Sequence, residues 1–340
     1  MQEPQLTINA TTRAEVIDTL LDRLRKHYVF PETAQEMERA IRRRQAEGEY
    51  ETLNDAAAFA ETLTTHLREV SKDRHLRVSY SARELPLEDE EAKIDDEAWD
   101  REFGPHVNYG FDKVERLPGN IGYLEFRSFF SPKYAAEVGI AAMNFLANTC
   151  ALIIDLRRNH GGSPEMIALL CSYLFDEKME HLNSLYWREG DRTQQFWTLP
   201  YVPGKRFGSQ KPVYILTSAE TFSGAEEFAY NLKNLKRATI IGETTGGGAH
   251  PGDVYRLSAH FESFIPGGRA INPISGTNWE GTGVEPDIAV PREEAFKVAY
   301  TMALKQVRES IGEADSPGQQ MLAVEIERAL AEQETPHTTV

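Results

Sequence analysis

Cysteine is scarce in these 340 residues: Cys150 and Cys171 are the only two. A disulfide framework and a zinc site of ordinary cysteine spacing are thereby excluded. Both stand beside apolar residues, which predicts two buried free thiols. Positive charge is also short, with 37 Lys and Arg against 53 Asp and Glu, a net charge of −16 at pH 7. Phosphate binding calls for a basic patch, so the balance argues against nucleic acid as a partner. The acid is densest at "ELPLEDEEAKIDDEAWDREF" (84–103), where solubility is the first reading and steering of cationic substrates the second. No run of about 18 apolar residues occurs, so no membrane span is predicted. No histidine pair has the H-E-x-x-H spacing, which leaves metal-assisted hydrolysis without support and no metal or cofactor expected. The opening "MQEPQLTINATTRAEV" carries no basic region followed by an apolar stretch. Localisation is left open: cytoplasmic as written, periplasmic or secreted where a signal peptide has been removed.

What is present is apolar periodicity. The first 80 residues read as helical: "RAEVIDTLLDRLRKHY" sets Val16, Leu20, Leu24 and Tyr28 four apart, with Thr11 or Thr12 as cap. "DAAAFAETLTTHLREV" repeats the spacing with Phe59, Leu63, Leu67 and Val70. After the acidic stretch come short β-rich runs, "IGYLEF", "ALIIDL", "PVYILTS" and "ATIIGE", with helical segments such as "AAEVGIAAMNFLAN" and "PEMIALLCSYLF" between them. Alternation of this kind predicts an α/β core around a buried, largely parallel sheet. Strand-like "VYRLSAHFESFIP" and "DIAV" follow, then a last helix with Leu322, Ile326 and Leu330 on one face. The expected division is a helical domain over 1–82, an acidic connector over 83–112, the core over 113–310 and a C-terminal helix and tail over 311–340.

Ser223 begins S-x-x-E with Glu226, the spacing of a capping box, and a serine there is first of all a helix cap. Yet the chain runs from an apolar strand through a sharp turn into a helix opened by the small Gly224 and Ala225. Such a turn can expose a hydroxyl while the Gly224 N–H faces the same space as an oxyanion donor. A second strand ends in "RRNHGGSPE", where Gly161 and Gly162 form a tight turn before a helix that Pro164 can start. Either could supply a second N–H. The third glycine run, "GETTGGGAHPG", lacks the Lys-Ser/Thr ending of a phosphate loop and leads into a strand, so nucleotide binding is rejected. A serine needs a base. The candidates are His75, His160, His250 or a lysine, each histidine being first a surface or structural residue.

The motifs "DLRRNHGG", "TFSGAEEFAY", "RATIIGETTGGG" and "NWEGTGVEPDIAV", in this order, resemble those of the tail-specific (carboxy-terminal processing) serine peptidases. The likeness is closest to the branch of the tricorn protease core and the modules of interphotoreceptor retinoid-binding protein, and "DRHLRV" at 73–78 extends it toward the N-terminus. The resemblance implies a crotonase-like spiral ββα core with a helical N-terminal domain. It makes Ser223 the nucleophile, since the serine there follows a "TS" strand end and precedes a small residue, with Glu at the third position. The processing peptidases proper take a lysine base twenty-five positions after the serine; here that position is Gly248. The tricorn-like branch instead implies His75 as base and Glu280 as orienting carboxylate, with Gly224 and one of Gly161 or Gly162 at the oxyanion. Where the tricorn site has a serine beside its histidine, this chain has Arg74. The stretch between His75 and the core is too short for a PDZ domain, so none is expected.

Three readings follow. The first is a serine peptidase on peptide or protein substrates. The second, suggested by "FESFIPGGRAINPISGTNWEGTGVEPD", is a binding module for retinoids, fatty acids or other apolar ligands. The third is an esterase using the same residues. A pure binder has no use for Ser223, His75 and Glu280 together, which puts the enzyme first.

Overall fold

The structure, a computed structural model, describes residues 7–86 and 96–334; residues 87–95 of the acidic connector fall outside it. Its helices are α1 (Ala10–His27), α2 (Pro31–Ala46), α3 (Ala56–Ser71), α4 (Asp96–Glu102), α5 (Pro132–Leu146), α6 (Pro164–Leu174), α7 (Gly224–Asn234), α8 (Arg292–Ile311) and α9 (Pro317–Glu334). The first six strands are β1 (Arg77–Tyr80), β2 (Phe111–Leu117), β3 (Ile121–Phe126), β4 (Ala151–Asp155), β5 (His181–Trp187) and β6 (Arg192–Trp197). The remaining strands are β7 (Val213–Thr217), β8 (Thr239–Gly242), β9 (Gly252–Arg256), β10 (Phe261–Pro266), β11 (Gly268–Ile271) and β12 (Ile288–Ala289). The chain forms two compact units, and they do not follow chain order. Of the described residues, one holds those before 87 together with 184–194 and 248–271; the other holds 96–183, 195–247 and those from 272.

In the first unit Asn9, not Thr11 or Thr12, caps α1: its side chain accepts the Thr12 N–H at 2.9 Å. An amide oxygen in extended backbone reaches an orphan N–H of the first turn, which a threonine already inside the helix cannot. The four-residue stripe then buries Val16, Leu20 and Leu24 against α2, α3 and the strands. Each such side chain contributes about 1.5–3 kcal/mol, so Leu20→Ala alone would cost about 2–5 kcal/mol. Strand β1 pairs antiparallel with β10, and β10 with β9. This pairing is what draws 248–271 into the same unit as the helices, a long-range link that local periodicity does not carry.

The second unit is built on a six-stranded sheet in the order β12-β8-β7-β4-β3-β2. Only β2–β3 is antiparallel; the other pairs run parallel. Every residue of β4 and β7 is buried, as central parallel strands covered on both faces require. Ile153, Tyr214, Leu216 and Ile241 face α8 and α9. Cys171 is buried on α6, whereas Cys150 is only half-buried, its Sγ taking a hydrogen bond from Asn120 Nδ2 at 3.3 Å. The thiol sits at a strand entrance beside a polar turn, which its apolar neighbours in sequence do not reveal. No described helix is long and apolar enough to cross a membrane.

Candidate active site

Strands β4 and β7 are parallel neighbours, Asp155 opposite Leu216, so the turns leaving their carboxyl ends lie side by side. This is where open α/β sheets place ligands. The two turns are stitched together. The Thr221 hydroxyl donates to Leu156 O at 2.7 Å, the Ser218 hydroxyl to Arg157 O at 2.5 Å, and the Phe222 N–H to Asn159 O at 3.1 Å.

Ser223 stands at the start of α7 with φ 55° and ψ −123°. A helix cap has extended backbone with negative φ. The caps Asn9, Asp55, Ser131 and Ser163 all have it, with φ between −104° and −53°. Ser223 instead occupies a region that costs a residue with a Cβ about 1–3 kcal/mol and persists only where the surroundings impose it. Glu226 imposes part of it. Fully buried, it accepts the Ser223 N–H at 2.9 Å, the Thr245 hydroxyl at 2.5 Å and the Gly247 N–H at 2.6 Å.

The glycine turn fits against this elbow. Gly161 has φ +95°, and a Cβ on it would lie 2.4 Å from Gly224 N and 2.8 Å from Ser223 Cβ. No other residue type allows so close an approach. A Cβ on Gly224 would in turn lie 2.9 Å from Gly162 N, so that the two backbones are in contact. The Gly161 N–H is engaged, donating to Asn159 Oδ1 at 2.9 Å, while Asn159 Nδ2 donates to Phe126 O at 2.9 Å. Fully buried Asn159 thus fixes the turn.

Glu280 belongs to the same unit. Its N–H donates to Asn278 Oδ1 at 3.0 Å, the preceding Trp279 packs 5.3 Å from Tyr230 of α7, and the following Gly281 N–H donates to Gly247 O at 2.9 Å. Because Gly247 is also held by Glu226, one hydrogen-bonded path runs from the elbow to the Glu280 turn. Thr245 reinforces it by accepting the Val284 N–H at 2.7 Å.

His75 is in the other unit, on the turn between α3 and β1. Its ring stacks on Phe264 at 5.7 Å, and its backbone N–H donates to Asp73 Oδ1 at 3.0 Å. Burial pushes its imidazole down to about 4, against the opposing pull of Asp73. His250 is buried in that unit too, its Nδ1 2.7 Å from Asp73 Oδ2. His160, between the nucleophile's neighbours, is exposed. The structure therefore brings Ser223, Gly224, Gly161 and Gly162 together, ties Glu280 to the same unit, and carries His75 on the other.

Sequence reading passed over Asp73, Asn159 and Glu227. Glu227, on α7, is buried, and burial pushes its carboxyl up to about 7 against the facing amides of Asn183 and Asn231. Asp73 and Asn159 share a signal with Asn278: each accepts the N–H two residues on, at His75, Gly161 and Glu280 respectively. That spacing is the Asx turn.

Comparison with known proteins gives the family. A profile of the N-terminal domain of peptidase S41 in eukaryotic IRBP matches residues 7–101, and one of peptidase family S41 matches residues 120–290. A carboxy-terminal-processing protease of Bartonella bacilliformis is 28% identical over 188 residues, 54% of this chain and 42% of that one. The chain spans about two fifths of the length of the curated relatives it matches. A crystal structure of a putative peptidase from Parabacteroides merdae superposes with a TM-score of 0.58 at 16% identity, covering 86% of this chain and 96% of that one. The tricorn protease gives 0.54 at 14% identity, covering 87% of this chain and 37% of its own. These two likenesses are of fold, a mixed α/β core with a helical N-terminal region. With the family profile covering half of the chain, including five of the six strands of the sheet, the Gly161–Gly162 turn, the Ser223 elbow and the Glu280 turn, this chain belongs to peptidase family S41.

Proposed function

We propose that the chain is a serine peptidase that forms an acyl-enzyme on Ser223, with His75 as base and Glu280 as orienting carboxylate. The observation that carries this reading is the strained elbow at Ser223, pressed against the Gly161–Gly162 turn. A cap or a binding surface gains nothing from that strain; a nucleophile gains exposure and a fixed direction. His75 takes the Oγ proton as Oγ attacks the peptide carbonyl carbon, then delivers it to the leaving amine. Water, deprotonated by the same imidazole, releases the acyl group. The oxyanion is held by the Gly224 and Gly162 N–H groups, because that of Gly161 is already given to Asn159. Loss of one such donor costs about 3–4 kcal/mol. Base and nucleophile belong to different units.

A base works only when neutral. With His75 near 4, activity is expected to be level from pH 5 to 8 and lost as pH falls through about 4, rather than near the unperturbed value of about 6.5. Cleavage of an unstructured peptide library, read by mass spectrometry for the parent, Ser223→Ala and His75→Gln, tests the reading. Cleavage by the parent alone supports it; equal cleavage by Ser223→Ala ends it.

A further inference from the structure

Asp73 has no assigned part in the proposed triad, yet polar groups of the first unit converge on it. The carboxylate is fully buried, with 0% of its surface exposed. Oδ2 takes the Tyr28 hydroxyl at 3.1 Å and lies 2.7 Å from His250 Nδ1; Oδ1 takes the His75 N–H at 3.0 Å. A carboxylate can only accept, so His250 carries a proton on Nδ1. A buried carboxylate is tolerated when such donors surround it. One of its oxygens also lies within 4.8 Å of a ring nitrogen of His75. Within this unit the other ionisable groups that act on the His75 ring, Arg68, Arg77 and His250, all disfavour a positive imidazole, and Asp73 is the group that favours it.

We propose that Asp73, held in place by His250 and Tyr28, is a positioning residue that fixes the His75 turn and supplies the negative charge facing the His75 imidazolium. The proposal deepens the reading of His75 as base and rests on it. In the attack step the proton leaves Ser223 Oγ for His75, and the positive charge so created is buried. Asp73 offsets that charge from the histidine's own unit, while the Asp73–His250 hydrogen bond keeps the carboxylate from turning away.

Asp73→Asn tests this, because an asparagine Oδ1 still accepts the His75 N–H while the charge is gone. An opposite charge at this range shifts an ionisation by about 1–3 pH units, so NMR titration of histidine-labelled protein should find the His75 midpoint lowered by about one unit or more. The rate of fluorophosphonate adduct formation at Ser223 should fall by about tenfold or more, the factor that a displacement of about one unit represents. A His75 midpoint that stays in place, or an adduct rate within about threefold of the parent, overturns the proposal. Tyr28→Phe removes one donor to Asp73 without changing side-chain shape, and serves if Asp73→Asn does not fold. It should slow the adduct about five- to tenfold, as loss of a hydrogen bond to a charged group implies, and a parental rate again overturns the proposal. A parent that forms no adduct at all sinks the peptidase reading instead, and the NMR titration then decides Asp73 by itself.

Discussion

Ser163 and Ser223 each open a helix at the carboxyl end of a parallel strand, and the two helices are neighbours in one unit. Ser163 has φ −63° and ψ 124°, a side chain accepting the Met166 N–H, and a proline after it. Ser223 has φ 55°, a glycine after it, and a buried glutamate gripping its backbone. The first is relaxed and satisfies a helix end. The second is held in a conformation its own chemistry opposes. A serine at a helix start thus serves different ends at the two turns, and the backbone separates them.

The contrast can be broken by substitution. Ser223→Ala should abolish peptide cleavage, a loss of about 10³-fold or more measured as kcat/KM, while Ser163→Ala should leave cleavage within about twofold. Gly161→Ala should come next. Its Cβ would meet Gly224 N at 2.4 Å with φ at +95°, so the elbow and the glycine turn must part. Adduct formation should fall at least about 100-fold, with a lower melting temperature, through loss of the oxyanion geometry.

Glu227 tests whether α7 is strained beyond its first residue. Its folded carboxyl, near 7, binds its proton more tightly than the unfolded one. That contribution is full below about 4.5 and is lost as pH rises through about 7, when the buried group must ionise. Glu227→Gln should therefore stabilise the protein at pH 8 by up to about 3 kcal/mol and have little effect at pH 4, read by denaturant titration. The smallest effects sharpen the comparison by their opposite signs. Ser163→Ala should cost about 1 kcal/mol through a lost cap, whereas Ser223→Gly should gain about 1 kcal/mol over Ser223→Ala by releasing the elbow.

Much of this was legible beforehand, and unevenly. "IGYLEF" coincides with β3, and "ALIIDL", "PVYILTS" and "ATIIGE" contain β4, β7 and β8, because buried parallel strands are continuous apolar runs. Strands β2, β5 and β6 carry charged and polar residues and were passed over; edge and antiparallel strands take their pairing from distant partners. The 20-residue α8 was missed as well. Its buried face joins Ala295, Ala299 and Ala303 to Tyr300, Leu304 and Val307, so large apolar side chains mark only its second half. At the site, Ser223 and the glycines stood out as residue types at strand ends. Asp73, Asn159 and Asn278 did not, although each sits two residues before a candidate and secures its backbone. Nor does sequence reveal that His75 is 7% exposed and depressed by burial, which sets the expected loss of activity near pH 4 rather than about 6.5.

The most direct test of the nucleophile is intact mass after incubation with a fluorophosphonate, run on the parent, Ser223→Ala and Ser163→Ala. One adduct on the parent and on Ser163→Ala, with none on Ser223→Ala, is the result expected of an activated serine at the elbow. A folded parent that takes no adduct, or an adduct that survives Ser223→Ala, would contradict it.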